Sequence, residues 1–401
     1  MKKIDVAVAG SGIVGMAIAR GLLELDSTLR IIIYEKELNF GLHASARNSG
    51  VLHAGFYYSP ESLKARYCRE GREELTKIIS KYDIPLMKVG KVVLTQNYEE
   101  ESRLETLLQR GISNGVELER IPETELRFFE PLARTHGSFL WSPHTSISDP
   151  QLVNAALRQE LQANGVQFIP NSLVEIKNQA WTISNEIINA RYFVNAGGAW
   201  ALDLAQKVGL GLNYRTMPFL GMYRQTSISN LPIKTLIYPV PHSINPFLGV
   251  HFTPTIDGNV KIGPSALPII GKSQYQLMSR VTRTELVTFG QNLVSLSKGS
   301  KHDLFEMMKY EVPKLSTSNL VRASSKLVPR ALQVNAWTKK RPGIRGQLID
   351  GKNGELIQDF LIEHSENSTH VLNAVSPGWT AGIPFGRSIA QSVLERLSKT
   401  S

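Results

Sequence analysis

The chain has 401 residues, 42% of them hydrophobic and 20% charged, with 45 Lys and Arg against 35 Asp and Glu for a net charge of +10. That composition is ordinary for a globular protein long enough for two domains, and it excludes disordered and fibrous classes. The single cysteine, Cys68, excludes an intrachain disulfide and a cysteine-rich metal site; no apolar run reaches the length of a bilayer crossing.

The first 36 residues carry the sharpest signal. Val6-Ala7-Val8-Ala9 reads as a strand, Gly10-Ser11-Gly12-Ile13-Val14-Gly15 as a glycine turn opening a helix, and Ile31-Ile32-Ile33-Tyr34 as a second strand ending at Glu35. This is the dinucleotide fingerprint in its full context. Gly10 permits the tight turn, Gly12 lets backbone approach a pyrophosphate, and Gly15 lets helix and strand pack closely. The helix start at Ile13 and Val14 offers unpaired N–H groups and a positive dipole end to phosphates. Glu35 can accept hydrogen bonds from a ribose diol and would repel a 2′-phosphate, which argues against NADP. Because this apolar opening is already a strand, no leader segment is expected.

Residues 41–58, rich in Gly, Ser, His and Tyr, lack helical periodicity and read as a loop beneath a ligand. A helix is expected over 63–82, with Cys68 as a packed side chain on it. Then come a strand at Lys91-Val92-Val93-Leu94-Thr95, a polar helix over 99–114 and a strand at 137–141. A helix follows Asp149, a strand Gln167–Pro170, and a buried strand Arg191–Asn195 running into Ala196-Gly197-Gly198. Residues 214–263 are β-rich, with Pro and Gly at turn spacing. Residues 278–312 read as helical, 341–358, 360–363 and 369–373 as strands, and 383–397 as a closing helix. A dinucleotide unit whose sheet resumes in the middle and at the end of the chain implies a discontinuous domain, the layout of flavoproteins more than of nicotinamide dehydrogenases.

At this point the residues carry a family resemblance. Four stretches do so: Ala46-Arg47-Asn48-Ser49-Gly50-Val51-Leu52-His53-Ala54-Gly55-Phe56-Tyr57-Tyr58; Ser62-Leu63-Lys64-Ala65-Arg66; Tyr238-Pro239-Val240-Pro241 with Phe247-Leu248-Gly249-Val250-His251-Phe252-Thr253-Pro254; and Asn373-Ala374-Val375-Ser376-Pro377-Gly378. The chain resembles the FAD-dependent oxidoreductases of the D-amino-acid-oxidase and glycerol-3-phosphate-dehydrogenase class over nearly its full length. Within that class it is most similar to the L-2-hydroxyglutarate dehydrogenases and oxidases. The resemblance implies an α/β (α+β) fold with a discontinuous Rossmann-like FAD-binding domain, residues 1–82, 145–213 and 335–401. A β-rich substrate domain would comprise 83–144 and 214–334.

It also implies FAD; some relatives attach it through cysteine or histidine, and with the only thiol on an early helix a non-covalent hold is expected, His43 and His53 being the remaining attachment points. Ser45, Arg47, Asn48 and Ser49 would lie along the flavin and pyrophosphate. Gly378, with Ser376 and Thr380, would meet the pyrimidine edge of the ring, where donors stabilise the charge of reduction. Lys36, Val174, Ala196, Gly197 and Trp379 complete the implied cofactor contacts.

Oxidising an α-hydroxy acid needs the hydroxyl proton removed as hydride leaves the α-carbon, C2, for flavin N5, and a neutral imidazole suits that near pH 7. His53 is the preferred base, with His251 sharing the role or orienting substrate. His43, His136, His144, His242, His302, His364 and His370 read as ordinary packing or surface residues. A dicarboxylate needs cations of fixed geometry: Arg345 is expected to face the flavin, with Lys64 and Arg66 as lesser candidates. Tyr57 and Tyr238 would bond a carboxylate or pack as walls.

The expected activity is oxidation of L-2-hydroxyglutarate to 2-oxoglutarate, with electrons passed to quinone or oxygen. The rivals are an amino-acid or sarcosine-type oxidase and a non-catalytic flavin-binding module. The basic residues are spread along the chain, so no nucleic-acid partner is expected. A cytoplasmic location, with peripheral contact at the inner face of the membrane, accommodates the charge. Oligomeric state is not legible.

Overall fold

The computed structural model describes residues 4–241, 247–299 and 304–400. Its first sheet has six strands in the spatial order Leu361–His364, Ser368–Asn373, Ala190–Asn195, Ile4–Ala9, Ile31–Tyr34, Gln167–Ile169. All neighbours run parallel except the first pair. Along Ile4–Ala9 the side chains of Val6 and Val8 enter one core and those of Ala7 and Ala9 another. Both faces of the strand are covered, which is why it reads as a continuous apolar run and not as an alternation.

One face is covered by the helices Ile13–Leu25 and Gly378–Leu397, packed through small residues. A Cβ on Gly386 would stand 2.5 Å from the Ala17 Cβ, and one on Gly21 would stand 2.9 Å from the Ala390 Cβ. The closing helix begins at Gly378, five residues before the expected start, and holds Pro384 inside it. Gly-Trp-Thr-Ala-Gly-Ile-Pro has weak intrinsic helix propensity; burial against the first helix overrides it. The other face meets a three-stranded sheet over 174–187, where Trp181 stacks on Phe193 at 4.7 Å.

A second, nine-stranded sheet takes its strands from 91–94, 119–122, 138–142, 214–227, 236–239, 251–254, 259–263, 267–268 and 338–350. Thr338–Asp350, expected within the cofactor unit, pairs with Tyr214–Ser227 here and sets Arg345 opposite Phe219. Strand character was legible at that segment; which sheet it joins depends on a partner more than a hundred residues away. A small sheet of 51–52, 86–88 and 146–148 lies between these regions in sequence. No helix among the described residues is long and apolar enough to cross a membrane.

Candidate active site

Gly10 adopts φ +106°, and a Cβ there would stand 2.5 Å from the Ala196 carbonyl oxygen. A Cβ on Gly15 would strike the Gly10 carbonyl. Any side chain at these positions would push the turn off the strand end, so the glycines are there for close approach. The Ile13 N–H at the helix start donates to Ser45 Oγ at 2.9 Å, tying the loop to the turn. Glu35, 7% exposed, accepts from the Ser11 N–H at 3.1 Å, the Ser11 hydroxyl at 2.5 Å and the Glu37 N–H at 3.1 Å.

From this turn opens a cavity of about 540 Å³. Gly10, Gly12, Ile13, Val14, Glu35, Lys36 and Val174 line it, as do Ser45, Arg47, Asn48, Ser49, Ala196 and Gly197. So do His53, Arg345, Gly378, Trp379 and Thr380. Gly15 is not in the lining. The group around Glu35 is held by its own backbone bonds, the Ser172 N–H donating to the Glu35 carbonyl at 2.7 Å. The group around His53 is held by Thr380, whose Oγ accepts from the His53 N–H at 3.3 Å and donates to the Val51 carbonyl at 3.1 Å. Arg47 bonds the carbonyls of Leu42 and Pro342 and lies 4.0 Å from the centre of the Tyr275 ring. One elongated site with an acid at a strand end and two helix N-termini in its wall fits a dinucleotide carrying a ring. The buried, unpartnered Trp379 indole N–H in the wall adds a donor awaiting a ligand.

Of the catalytic and substrate candidates, His53 and Arg345 line the cavity, while His251, Tyr57 and Tyr238 do not. The His53 ring lines the cavity with Nδ1 sealed and unpartnered; burial, then the charges of Lys91, His251 and Arg345, push its pKa well below the ordinary 6.5. His251, 4% exposed, donates from Nδ1 to the Gly249 carbonyl at 2.9 Å, which leaves Nε2 as a free lone pair. Burial pushes its pKa down to about 3. It stacks on Tyr238, whose hydroxyl is buried without a bonded partner, as are the Tyr57 hydroxyl and the Arg345 Nη1. Arg345 comes from the second sheet and leans on Phe247, 5.3 Å from its ring centre.

Lys64 and Arg66 lie elsewhere. Lys64 is buried beside Asp359 and Phe360, and burial lowers its pKa to about 8. Arg66 is exposed and pairs with Glu70 at 3.3 Å. Neither lines the cavity. Cys68 is buried, its thiol donating to the His53 carbonyl at 3.3 Å, and burial pushes its pKa up to about 12. That thiol is a packed group and a poor nucleophile.

His43, read as an ordinary residue, is in the cavity wall, accepting from the Tyr275 hydroxyl at 2.6 Å and donating to Glu37 at 2.9 Å. His136, His144, His364 and His370 are outside the lining, and His242 and His302 lie outside the described residues. Two lysines escaped the sequence reading. Lys261 donates to the Ser49 carbonyl at 3.3 Å, bracing the loop from the second sheet. Lys91 is fully buried beside Tyr238. Its sequence context, the start of Lys-Val-Val-Leu, gives no signal beyond a strand. No cluster of three metal-ligating side chains occurs among the described residues.

Comparison with known proteins places this geometry. The family described as DAO, FAD dependent oxidoreductase, matches residues 5–392. An L-2-hydroxyglutarate dehydrogenase of Indibacter alkaliphilus is 32% identical over 404 residues, covering 98% of this chain and 99% of its own. Its counterpart in Escherichia coli is 32% identical over 406 residues, covering 99% and 94%. The L-alpha-glycerophosphate oxidase of Mycoplasma pneumoniae, solved in its dithionite-reduced state with FAD bound, superposes with a TM-score of 0.74. At 22% identity over 99% of this chain and 95% of its own, that likeness is one of fold.

Proposed function

The chain belongs to the DAO family of FAD dependent oxidoreductases, and from that premise we propose that it oxidises L-2-hydroxyglutarate to 2-oxoglutarate. The observation that carries the reading is the meeting of a neutral histidine, His53, with an unpaired guanidinium, Arg345, in the wall of a dinucleotide cavity. The curated relatives that share about a third of this sequence over almost its whole length support the choice of substrate.

Bound FAD supplies the acceptor for the hydride that leaves C2. The residues do the rest. Arg345 holds the carboxylate beside the reacting carbon through a planar pair of N–H donors. His53, neutral in the ligand-free site, takes the hydroxyl proton as the C2–H bond breaks and the carbon–oxygen double bond forms. An approaching carboxylate favours the imidazolium that results, offsetting the neighbouring cations. His251, behind the lining, positions the site through its stack on Tyr238 and its Nδ1 bond to the Gly249 carbonyl. A cofactor held without a covalent bond is supported by the one thiol being outside the cavity lining and by His43, in the lining, being engaged at both ring nitrogens by Tyr275 and Glu37. The net charge of +10 supports a quinone at an anionic membrane surface as electron acceptor, with the protein on its cytoplasmic side.

The rival within the family is an oxidase of amino acids. The acids in the cavity lining are Glu35, Glu175 and Asp203; Glu35 is bonded to Ser11, Glu175 is paired with Lys177 and Asp203 with Lys272, so each is already engaged. The excess of unpaired cations around His53 favours an anion.

Anaerobic addition of L-2-hydroxyglutarate to the purified holoenzyme tests the reading. Rapid loss of the flavin absorbance with the L-enantiomer and not the D-enantiomer is the expected result. Bleaching by an amino acid alone moves the chain to the amine oxidases. Bleaching by neither overturns the enzymatic reading.

A further inference from the structure

Three lysines are buried among the described residues, and two have an acid beside them. Lys314 pairs with Glu311 at 2.6 Å, and Lys64 lies in the field of Asp359. Lys91 differs. It is 0% exposed, its ammonium has no hydrogen-bond partner, and no acid among the described residues pairs with it. Around it stand the rings of Tyr238, Tyr57 and Phe56, at 4.2, 5.2 and 5.4 Å from Nζ. Aromatic faces solvate a cation only in part, and an unpaired buried ammonium is costly. The one group drawing its proton tighter is Cys68, itself held as a neutral thiol.

The neighbours share the condition. Tyr57 Oη, Tyr238 Oη, His251 Nε2, His53 Nδ1 and Arg345 Nη1 are all buried and unbonded. They arrive from the loop after Leu52 and from three separate strands, and Lys91 arrives from a fourth. Lys91, His251 and Tyr57 gather about the Tyr238 ring, at 4.2, 3.8 and 6.5 Å from its centre, behind the cavity wall that His53 and Arg345 line. More than nine in ten buried polar groups find a partner. A cluster of orphans containing two cations and no anion is therefore shaped for a ligand that brings two negative charges.

We propose that Lys91 receives the remote carboxylate of a dicarboxylate substrate while Arg345 holds the carboxylate beside the reacting carbon, so that Lys91 is the residue that selects a diacid. This rests on the oxidation of L-2-hydroxyglutarate argued above and names the second anchor of that substrate. The strand places it suitably: Lys91 pairs with Leu236 on the neighbouring parallel strand, two positions before Tyr238 and so on the same face, with Tyr238 stacked on His251.

The experiment uses holoenzyme carrying Lys91→Met and Lys91→Arg, with the flavin spectrum as the check on folding. L-2-hydroxyglutarate is compared with L-2-hydroxyvalerate, which has a methyl in place of the remote carboxylate. The ratio of their kcat/KM values is expected to fall about 100-fold in Lys91→Met, the loss of a buried charge-assisted contact, and to be largely kept in Lys91→Arg. Glutarate, which cannot be oxidised at C2 by this route, is titrated while the flavin spectrum is followed. Its binding is expected to weaken by a similar factor in Lys91→Met. An unchanged ratio together with unchanged glutarate affinity overturns the assignment. Should the wild type bind glutarate but fail to be reduced by L-2-hydroxyglutarate, the proposed reaction fails, while the glutarate titration still decides the role of Lys91. Should Lys91→Met not retain flavin, Lys91→Gln with the same two readouts decides it.

Discussion

The Tyr238 ring lies face to face with the His251 imidazole, centroids 3.8 Å apart and planes within 15°. With Nδ1 bonded to the Gly249 carbonyl, that stack fixes both the tautomer and the direction of the remaining lone pair. The two histidines therefore differ in kind: His53 lines the cavity, and His251 is locked behind it.

Replacing each by Phe separates the roles. His53→Phe is expected to lower kcat/KM for L-2-hydroxyglutarate by roughly 1000-fold, within the range of a lost general base. His251→Phe keeps the stacked face and is expected to cost about 10-fold, one hydrogen bond's worth. Stopped-flow flavin reduction checks both. Equal losses would make the pair act as one unit.

The pH dependence of kcat/KM follows from the same burial. Because His53 and His251 are both depressed, the latter to about 3, no loss of activity is expected as pH falls from 7.5 to 5.5. Burial sets Lys91 at about 7 in the ligand-free enzyme, so kcat/KM for the diacid should fall as pH rises past that value and Lys91 loses its proton. The other groups facing Lys91 (Cys68, Tyr57, Tyr238) are pushed upward by burial and stay protonated across this window. Lys91→Arg should remove the alkaline fall; its persistence would assign it elsewhere.

Stability carries the opposite sign. The unfolded chain holds the Lys91 proton up to its ordinary 10.5 while the folded one releases it near 7, so stability gains as pH rises between those values and this contribution is lost below. Lys91→Met is therefore expected to raise Tm at pH 7 by about 5 °C, with the gain shrinking toward pH 10. Calorimetry on substrate-free holoenzyme measures it.

Thr380 joins the closing helix to the His53 backbone and to Val51. Thr380→Val removes both bonds at nearly constant volume. The expected outcome is a kcat reduced by about 10-fold with FAD retained, since a loosened catalytic group loses its placement before its fold. Loss of FAD instead would make the hydroxyl a cofactor anchor.

Glu35→Ala strips the Ser11 N–H and hydroxyl and the Glu37 N–H of their acceptor at the cofactor cavity. FAD affinity, read by fluorescence recovery on dilution, should fall by roughly 100-fold. Affinity within a factor of two would show that the acid serves the fold alone.

Much of the cofactor half was legible in sequence because its signals are local. The glycines at 10, 12 and 15, the helix after them and the acid at 35 sit within one strand–helix–strand unit, and each demand is met by residues a few positions apart. The start of the closing helix was not legible. Gly378–Gly382 offers poor propensity, and only the fit of Gly382 against Ile13 and of Gly386 against Ala17 makes it helical.

Sequence by itself determined the dinucleotide turn, the kind of sheet it opens, and the residue types able to move a proton or hold a carboxylate. Tertiary structure decided which of those residues meet. Lys64 and Arg66, on the resembling stretch, went to a buried packing site and to the surface. Lys91, an unremarked strand opener, was left unpaired beside Tyr238. The physical reason is that burial and pairing of a charge are set by what other strands bring against it. Here Tyr57, Tyr238, His251 and Arg345 come from chain positions spread over nearly three hundred residues.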